Sequence, residues 1–203
     1  MNKKEIRILN ASSSEIFGKN KKKNTEETEI NPTSYYGFAK SISTEIVRAY
    51  RLQFGIKVFN AILFNHESPL RPKEYVIQKI VSKTLDIFFK KKKNFFLGNL
   101  NVSRDWGWAP EYVNIMTKLI DQKNSGDFII ATGFNTKLRD VVKNVFLYYK
   151  LDYKKFVKIS KSLIRTSEIK TISGNNTKLI KTINYKPKIL MDQIIKKMIK
   201  KEF

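Results

Sequence analysis

The sequence predicts an α/β domain with a parallel sheet, followed by a smaller mixed α/β cap. Three segments, at residues 6–12, 56–64 and 128–131, are continuous apolar runs of strand length. Such runs are typical of parallel sheets, because helices bury both faces of a parallel sheet. Segments with helical apolar spacing alternate with these strands. Beyond about residue 65 the pattern is more mixed, which places the cap in the second half of the chain.

Apolar spacing and end signals predict the helices. After Ser34, apolar side chains recur at helical intervals up to Gly55, which marks the end of the helix. These side chains are Phe38, Ile42, Ile46 and Tyr50. Pro110 begins another helix, over 110–120, because proline is tolerated in a first helical turn. The remaining predicted elements are helices over 74–89 and 136–149, short strands over 94–97 and 156–159, two short helices around Lys178 and Ile194, and a loop over 18–34.

The composition excludes several classes of protein. The 203-residue chain contains no cysteine, so a disulfide scaffold, a cysteine nucleophile and thiolate metal sites are excluded. His66 is its only histidine, so we expect no metal site. No apolar run reaches the roughly 18–20 residues that span a bilayer, and the first residues lack the apolar region of a signal peptide. We therefore expect a cytoplasmic protein without a membrane segment.

The net charge of +22 has two interpretations. Lysines close to phosphates release counterions, so a strongly basic protein is a candidate for nucleic-acid binding. However, 33 of the 40 basic residues are lysines and 7 are arginines, whereas sequence-reading domains rely on arginine. Lysine, isoleucine and asparagine are all abundant, and all three have A/T-rich codons. We therefore favour codon bias and solubility over a specific nucleic-acid function.

Three groups of residues carry the candidate chemistry. The first, 12–15, follows the first strand, at the end of the sheet where ligands bind in open α/β folds. The second is Tyr36 and Lys40, which lie on one face of a helix because they are four residues apart. The third is the polar segment 65–72, which follows the second strand and is expected to be a loop.

A tyrosine paired with a lysine suits hydride chemistry on a secondary alcohol, which needs a base to take the hydroxyl proton. Tyrosine is ordinarily a poor base at neutral pH, but a lysine charge one turn away favours the phenolate. A neighbouring serine hydroxyl would hold the same substrate oxygen. Each group also has a structural alternative: a helix-surface pair, a serine turn or cap, and a structural histidine. Their order along the chain favours the catalytic interpretation.

Five strings in this order resemble the GDP-mannose 4,6-dehydratase family, within the extended short-chain dehydrogenases/reductases. They are SSSEIFG, SYYGFAK, ILFNHESPLR, FLGNLNVSRDWG and FIIATG. The resemblance implies an incomplete Rossmann-type parallel sheet with a smaller mixed α/β substrate-binding cap. Residues 1–65 would be the remnant of the dinucleotide-binding core. Residues 66–203 would mainly bind the GDP-sugar, with segments such as 128–131 returning to the core sheet.

The resemblance also implies the roles of individual residues. The implied catalytic residues are Ser13, Glu15, Tyr36 and Lys40. The implied contacts of the cofactor, NADP, are Lys40, His66 and Arg71. The implied contacts of the substrate, GDP-mannose, are Asn65, Lys79, Arg104, Arg165 and Glu168.

The implied reaction is an internal hydride transfer with loss of water. Tyr36 takes the proton from O4 of the mannose while C4 gives hydride to NADP. Glu15 then removes the C5 proton, which the C4 ketone has acidified, and water leaves from C6. Return of hydride to C6 gives GDP-4-dehydro-6-deoxy-mannose.

The chain departs from the family pattern in one major respect. The family begins with a strand, a glycine-rich turn and a helix that bind the dinucleotide pyrophosphate, and the eight glycines of this chain lack that spacing. We therefore expect a C-terminal part that needs an N-terminal half, in cis or in trans, and a first strand left as an unpaired sheet edge. The complete enzyme would be a homo-oligomer. Two alternatives remain: a non-catalytic GDP-sugar-binding module or partner subunit, and a basic nucleic-acid binder.

Overall fold

The structure, a computed structural model, describes residues 6–20, 22–164 and 169–202. The strands are β1 (Arg7–Ser13), β2 (Lys57–Leu63), β3 (Asn65–Glu67), β4 (Phe95–Leu97), β5 (Ser103–Trp108), β6 (Asp127–Ile130), β7 (Asn135–Lys137), β8 (Val157–Ile159) and β9 (Thr171–Ile172). The helices are α1 (Tyr35–Phe54), α2 (Val76–Phe88), α3 (Ala109–Ile120), α4 (Leu138–Tyr148), α5 (Tyr153–Phe156), α6 (Thr177–Ile183) and α7 (Met191–Lys200). No helix within these ranges is long and apolar enough to cross a membrane.

A three-stranded parallel sheet in the order β1-β2-β6 forms the centre of the fold. Ser13 lies opposite Leu63 in the first pair, and Leu63 lies opposite Ile130 in the second, so the carboxyl ends of the three strands meet at one edge. This sheet and its helices confirm the predicted α/β class. Among the described strands β1 pairs with β2 alone, so one side of its backbone is open to a further strand, as the sequence predicts.

A second, mixed sheet has the order β3-β5-β7, with β9 also paired to β5. Its first strand corrects the prediction of a loop over 65–72, because Asn65–Glu67 pairs in parallel with Trp106–Trp108. Strand β5 is likewise an element that no pattern in the sequence predicts. Short strands of this kind are specified by backbone pairing with residues about forty positions away along the chain, and local composition does not report such pairing.

Helix α1 forms where the apolar spacing predicts it, but its apolar stripe is not part of the core. Phe38, Ile42, Ile46 and Tyr50 are each about half exposed. The side of α1 that is buried consists of small residues, Gly37, Ser41 and Thr44, which allow the helix to lie close to β1 and β2. The stripe therefore leaves an apolar surface on the side of α1 that faces away from the sheet.

A row of polar side chains crosses the sheet face beneath α1. Asn10, Asn60 and Asp127 lie in register on the three strands. Asn10 Nδ2 donates to Asn60 Oδ1 at 2.9 Å, and Asn60 Nδ2 donates to Asp127 Oδ1 at 2.8 Å. Arg48 and Arg51 of α1 donate to the same carboxylate at 2.6 and 3.0 Å. Burial opposes ionisation of Asp127, but these contacts hold its pKa below the ordinary value.

Apolar clusters fix the remaining elements around the sheet. On the face opposite α1, Phe59 and Phe128 pack against Tyr112 and Leu119 of α3 and Leu179 of α6. The second half of the chain has its own, larger core, in which α2, α4 and α7 pack together over β4 and β5. This core holds the second sheet in place beside the carboxyl ends of β1 and β2.

Candidate functional site

The first group of predicted site residues lies directly beyond the carboxyl end of β1. Ser13 is the last residue of the strand and is buried. Its Oγ accepts a hydrogen bond from the backbone N–H of Glu15 at 3.2 Å, which caps the short 3-10 helix over Ser14–Phe17. This turn fixes the positions of the Ser13 hydroxyl and the Glu15 side chain relative to each other.

Ser34, whose place in the sequence predicts only the start of a helix, orients the Glu15 carboxylate. Its Oγ donates to Glu15 Oε2 at 2.6 Å. The same oxygen accepts from the backbone N–H of Gly37 at 3.0 Å, which makes Ser34 the N-cap of α1. Gly37 is needed for this approach, because a Cβ there would lie 2.8 Å from the carbonyl oxygen of Glu15. One serine thus joins the start of α1 to the carboxylate.

Tyr36 and Lys40 occupy the first two turns of α1, on the side that borders β1. Tyr36 is 53% exposed, so a ligand can approach this residue from solvent. Lys40 Nζ lies 5.8 Å from the centre of the Tyr36 ring and donates to the backbone oxygen of Ala11 at 2.8 Å. This contact anchors the ammonium group between the edge strand and the tyrosine, which is the pairing that the four-residue spacing predicts.

Asn65 and His66 lie two and three residues beyond the end of β2, on β3. His66 Nδ1 lies 2.9 Å from the carbonyl oxygen of Phe64, and because a carbonyl can only accept, Nδ1 carries the hydrogen. Burial lowers the pKa of His66, the hydrogen bond to Phe64 opposes this, and the charge of Arg71 adds to the lowering. The ring is therefore neutral at pH 7, and Nε2 is a hydrogen-bond acceptor.

Arg71 and Lys79 follow β3, before and within the first turn of α2. The Arg71 guanidinium stacks on the Tyr75 ring at 3.9 Å, and a turn bond from its backbone N–H to Ser68 O at 3.0 Å fixes its backbone. Lys79 lies one helical turn after Tyr75, since its N–H donates to Tyr75 O at 2.7 Å. The backbones that carry both cations are therefore fixed near the amino end of α2.

Arg104 lies on β5, two residues before the position opposite Asn65. Its guanidinium donates to the backbone oxygens of Ser103 and Lys170 at 2.8 and 3.4 Å, so it also ties the segment preceding β9 to β5. The next residue, Asp105, is fully buried and accepts from the backbone and hydroxyl of Thr132. The remaining predicted substrate contacts, Arg165 and Glu168, lie outside the described residues.

Gly107 in the RDWG string has a steric explanation. A Cβ at this position would collide with the ring of Tyr112, which is buried over the strand. The same ring lies 5.3 Å from the His66 ring. Gly107 therefore allows α3 to lie against β5 and to form one wall beside His66.

We expect Gly107→Ala to destabilise the fold by about 1–3 kcal/mol, because the added methyl group overpacks a buried contact. Urea unfolding followed by circular dichroism measures this loss. The matched control is Gly126→Ala, whose new Cβ would make an ordinary contact of 3.6 Å with Phe128. Equal stabilities for the two variants would contradict the steric explanation.

The predicted residues form two groups along one edge of the central sheet. Ser13, Glu15, Tyr36 and Lys40 surround the end of β1, whereas Asn65, His66, Arg71, Lys79 and Arg104 lie on or beside the second sheet, which begins where β2 ends. Two side chains that contact predicted residues were missed: Ser34, which is bonded to Glu15, and Tyr75, which stacks on Arg71. Their involvement depends on side-chain contacts, and no spacing in the sequence reports those.

Comparison with solved structures defines the class of fold. RMD from Pseudomonas aeruginosa, solved with NADPH, superposes with a TM-score of 0.87 at 18% identity, over 95% of this chain and 65% of that one. dTDP-glucose 4,6-dehydratase from Bacillus anthracis, solved with NAD, superposes with a TM-score of 0.86 at 19% identity. The match covers 96% of this chain and 60% of that one. The chain therefore shares the fold of these two proteins over nearly its whole length.

Sequence comparison then identifies the family. The profile of GDP-mannose 4,6 dehydratase matches residues 1–198, and the chain belongs to this family. GDP-mannose 4,6 dehydratase 1 of Arabidopsis thaliana is 32% identical over 98% of this chain and 55% of its own length. The human GDP-mannose 4,6 dehydratase is 32% identical over 96% of this chain and 57% of its own length. The chain thus spans about half the length of these curated relatives and corresponds to their C-terminal part.

Proposed function

We propose that this chain is the C-terminal, catalytic part of a GDP-mannose 4,6-dehydratase, which converts GDP-mannose to GDP-4-dehydro-6-deoxy-mannose and water once an N-terminal half completes it. The observation that carries the proposal is the group at the end of β1. There a buried serine, a carboxylate held by Ser34 and an accessible tyrosine beside an anchored lysine surround one point of the sheet edge.

Tyr36, Lys40 and Ser13 act on the C4 hydroxyl of the mannose in this proposal. The hydroxyl of the half-exposed Tyr36 takes the O4 proton as general base. Lys40, held by Ala11 O, provides a fixed positive charge beside the phenol ring, where it attracts the negative charge that develops as the substrate proton moves. The Ser13 hydroxyl holds the same substrate oxygen and keeps it in line with Tyr36.

Glu15 removes the proton at C5, next to the carbon that becomes a ketone. A carboxylate can do this because the adjacent ketone acidifies the C–H bond. The Ser34 hydroxyl fixes Oε2 of Glu15 and so sets the direction in which the carboxylate approaches the sugar. The electron pair left at C5 then forms a double bond to C6, and the C6 hydroxyl leaves as water after taking a proton from the now protonated Glu15.

The residues present fit one end of NADP. Lys40 lies beside the catalytic tyrosine, His66 offers an acceptor at Nε2, and Arg71 offers a stacked guanidinium that suits a phosphate. When bound, NADP supplies the oxidation at C4 and the reduction at C6. The glycine-rich turn that holds the pyrophosphate in the family is not encoded in these 203 residues, so we assign that contact to the N-terminal half.

The same group of cations supports GDP-mannose as the substrate. Lys79 and Arg104 are suited to the two phosphates of the nucleotide, and Asn65 can both donate to and accept from sugar hydroxyls. Arg165 and Glu168 are proposed on the resemblance alone to contact the guanosine part. The proposed reaction needs no metal and no nucleic acid.

The open edge of β1 and the apolar stripe of α1 support an N-terminal half as partner. Among the described strands the edge strand offers unpaired backbone groups, and the helix packed on it offers an exposed apolar stripe, as expected where further strands and helices of a parallel α/β sheet are added. The curated relatives contain such additional length. Oligomerisation of the completed enzyme is part of the proposal.

Complementation tests the proposal. We expect the chain alone to bind NADP no better than millimolar and to be inactive. Co-expression with the N-terminal part of the Arabidopsis relative should give a complex that binds NADP and releases GDP-4-dehydro-6-deoxy-mannose, detected by NMR. The control is the complex carrying Tyr36→Phe, which should bind GDP-mannose without turnover.

Two outcomes would overturn the proposal. NADP-dependent dehydration by the isolated chain would show that no N-terminal half is needed. GDP-mannose binding that is unchanged by Glu15→Gln and Tyr36→Phe, without turnover in any complex, would instead identify the non-catalytic GDP-sugar-binding module.

A further inference from the structure

Glu67 is a buried acid to which the proposed reaction assigns no role. It is the last residue of β3, lies opposite Trp108 of β5, and is 2% exposed. The nearest opposite charge is Arg71, whose Nε lies 3.7 Å from Glu67 Oε2, beyond hydrogen-bond distance. Within the described part of the chain, neither of these two atoms has a hydrogen-bond partner. Such unsatisfied buried groups are rare and call for an explanation.

Stability does not explain why an acid occupies this position. Burial raises the pKa of Glu67 to about 7, although the charge of Arg71 opposes the rise. The folded chain therefore holds the proton more tightly than the unfolded chain, and raising the pH from the ordinary value of 4.5 through about 7 destabilises the fold through this group. An uncharged residue of the same shape would avoid this cost, which points to a functional reason for the carboxylate.

The geometry around Arg71 suggests that reason. The guanidinium is held between two groups: the Tyr75 ring at 3.9 Å and the Glu67 carboxylate. The arginine backbone is fixed by the turn bond to Ser68. The Arg71 side chain is 27% exposed, so it is restrained from inside the protein and still reaches solvent. Arginine restrained in this way is pre-organised for an anion, because little rotational freedom remains to be lost on binding.

We propose that Glu67 is a positioning residue that holds the Arg71 guanidinium in the orientation in which it binds a phosphate group of the dinucleotide. That the ligand of Arg71 is a phosphate of the dinucleotide rests on the proposed function. The restraint of the Arg71 side chain does not depend on it. Approach of a phosphate draws the guanidinium into charge-assisted hydrogen bonds, while Glu67 and Tyr75 keep it from turning away.

The restraint is tested on the 203-residue chain without any ligand. The Nε–H signal of Arg71 is assigned by its disappearance from the spectrum of Arg71→Lys. In the unmodified chain its ¹⁵N relaxation should be that of a rigid group. In Glu67→Gln its order parameter should fall toward the value of about 0.6 typical of flexible groups. The matched control is Glu45→Gln, which removes an exposed carboxylate from a surface pair with Arg48 and should change nothing at Arg71.

The consequence for binding is tested in the complemented complex. Glu67→Gln should weaken NADP binding about tenfold in titration calorimetry, whereas Glu45→Gln should leave it within about twofold. Should Glu67→Gln fail to fold, Tyr75→Leu removes the other restraint from a half-exposed position and should act in the same direction.

The outcomes separate this inference from the proposed function. An unchanged Arg71 order parameter in Glu67→Gln would overturn the positioning role whatever the complex binds. Lost order with unchanged NADP affinity would overturn the role in binding. A wild-type complex that binds no NADP would overturn the proposed function, and the NMR result would still decide whether Glu67 positions Arg71.

Discussion

Glu15→Gln is expected to lower the rate of dehydration by the complemented enzyme at least about 100-fold, and to leave GDP-mannose affinity within about twofold. The reason is that general-base catalysis contributes about 10²–10⁴-fold, and an amide cannot take the C5 proton. The side chain keeps its size, so the contact with Ser34 and the start of α1 should persist. The affinity should change little, because the carboxylate is required for proton transfer rather than for binding.

The measurement follows deuterium from heavy water into the C5 position of the product by NMR. In the wild-type complex C5 should acquire deuterium, whereas in Glu15→Gln both the exchange and the release of product should be lost. Glu27→Gln, in the exposed loop before α1, is the matched control. Deuterium incorporation at the wild-type rate in Glu15→Gln would rule out Glu15 as the base.

The Ser34→Ala variant tests the orientation of the Glu15 carboxylate separately from its ability to take the C5 proton. Loss of the 2.6 Å hydrogen bond leaves the carboxylate in place but free to turn, so we expect a fall of about tenfold in kcat with little change in KM. Part of the variant's effect will be on stability, because Ser34 also caps α1, and replacing such a cap by alanine costs about 1 kcal/mol. Ser43→Ala, further along the same helix, controls for loss of a helical serine. A kcat equal to that of the control would contradict the orienting role.

The central elements could be predicted from sequence because their signals are local. Apolar runs specify β1, β2 and β6, and the four-residue spacing of Tyr36 and Lys40 places both on one face of α1. The proposed site at the end of β1 follows from topology, since parallel strands end at the same edge. What could not be predicted was the partner of each side chain. Ser34 resembles any helix cap in the sequence, and its contact with Glu15 depends on how closely Gly37 lets two segments approach.

The apolar stripe of α1 shows a different limit. Spacing at Phe38, Ile42 and Ile46 specifies a helix with one apolar face, but spacing does not say which protein surface covers that face. In the structure the opposite, small-residue side packs on the sheet. The same limit applies to β3, whose Asn-His-Glu sequence is polar and is a strand only because β5 offers it a backbone to pair with.

The polar row beneath α1 is the feature of the core that sequence patterns conceal most fully, and its loss should have a large effect on stability. Asp127→Ala would leave Arg48, Arg51 and Asn60 without their shared carboxylate, in a partly buried position. Removing one partner from such a network typically costs about 3–5 kcal/mol, because the remaining charges stay desolvated. We therefore expect Asp127→Ala to lower the free energy of unfolding at pH 7 by about that amount.

Urea unfolding at several pH values measures both the size and the origin of this loss. Because the pKa of Asp127 is depressed in the folded chain, its contribution is present above its ordinary value of 3.8 and is lost as pH falls through the folded value. The difference in the free energy of unfolding between wild type and Asp127→Asn should therefore be constant near neutral pH and become smaller in acid. Glu45→Gln removes only the exposed partner of Arg48 and should cost about 0.5 kcal/mol or less. If Asp127→Ala were no less stable than Glu45→Gln, the row would not hold α1 to the sheet, and the accurate placement of Tyr36 and Lys40 would have to come from the contacts at the helix start instead.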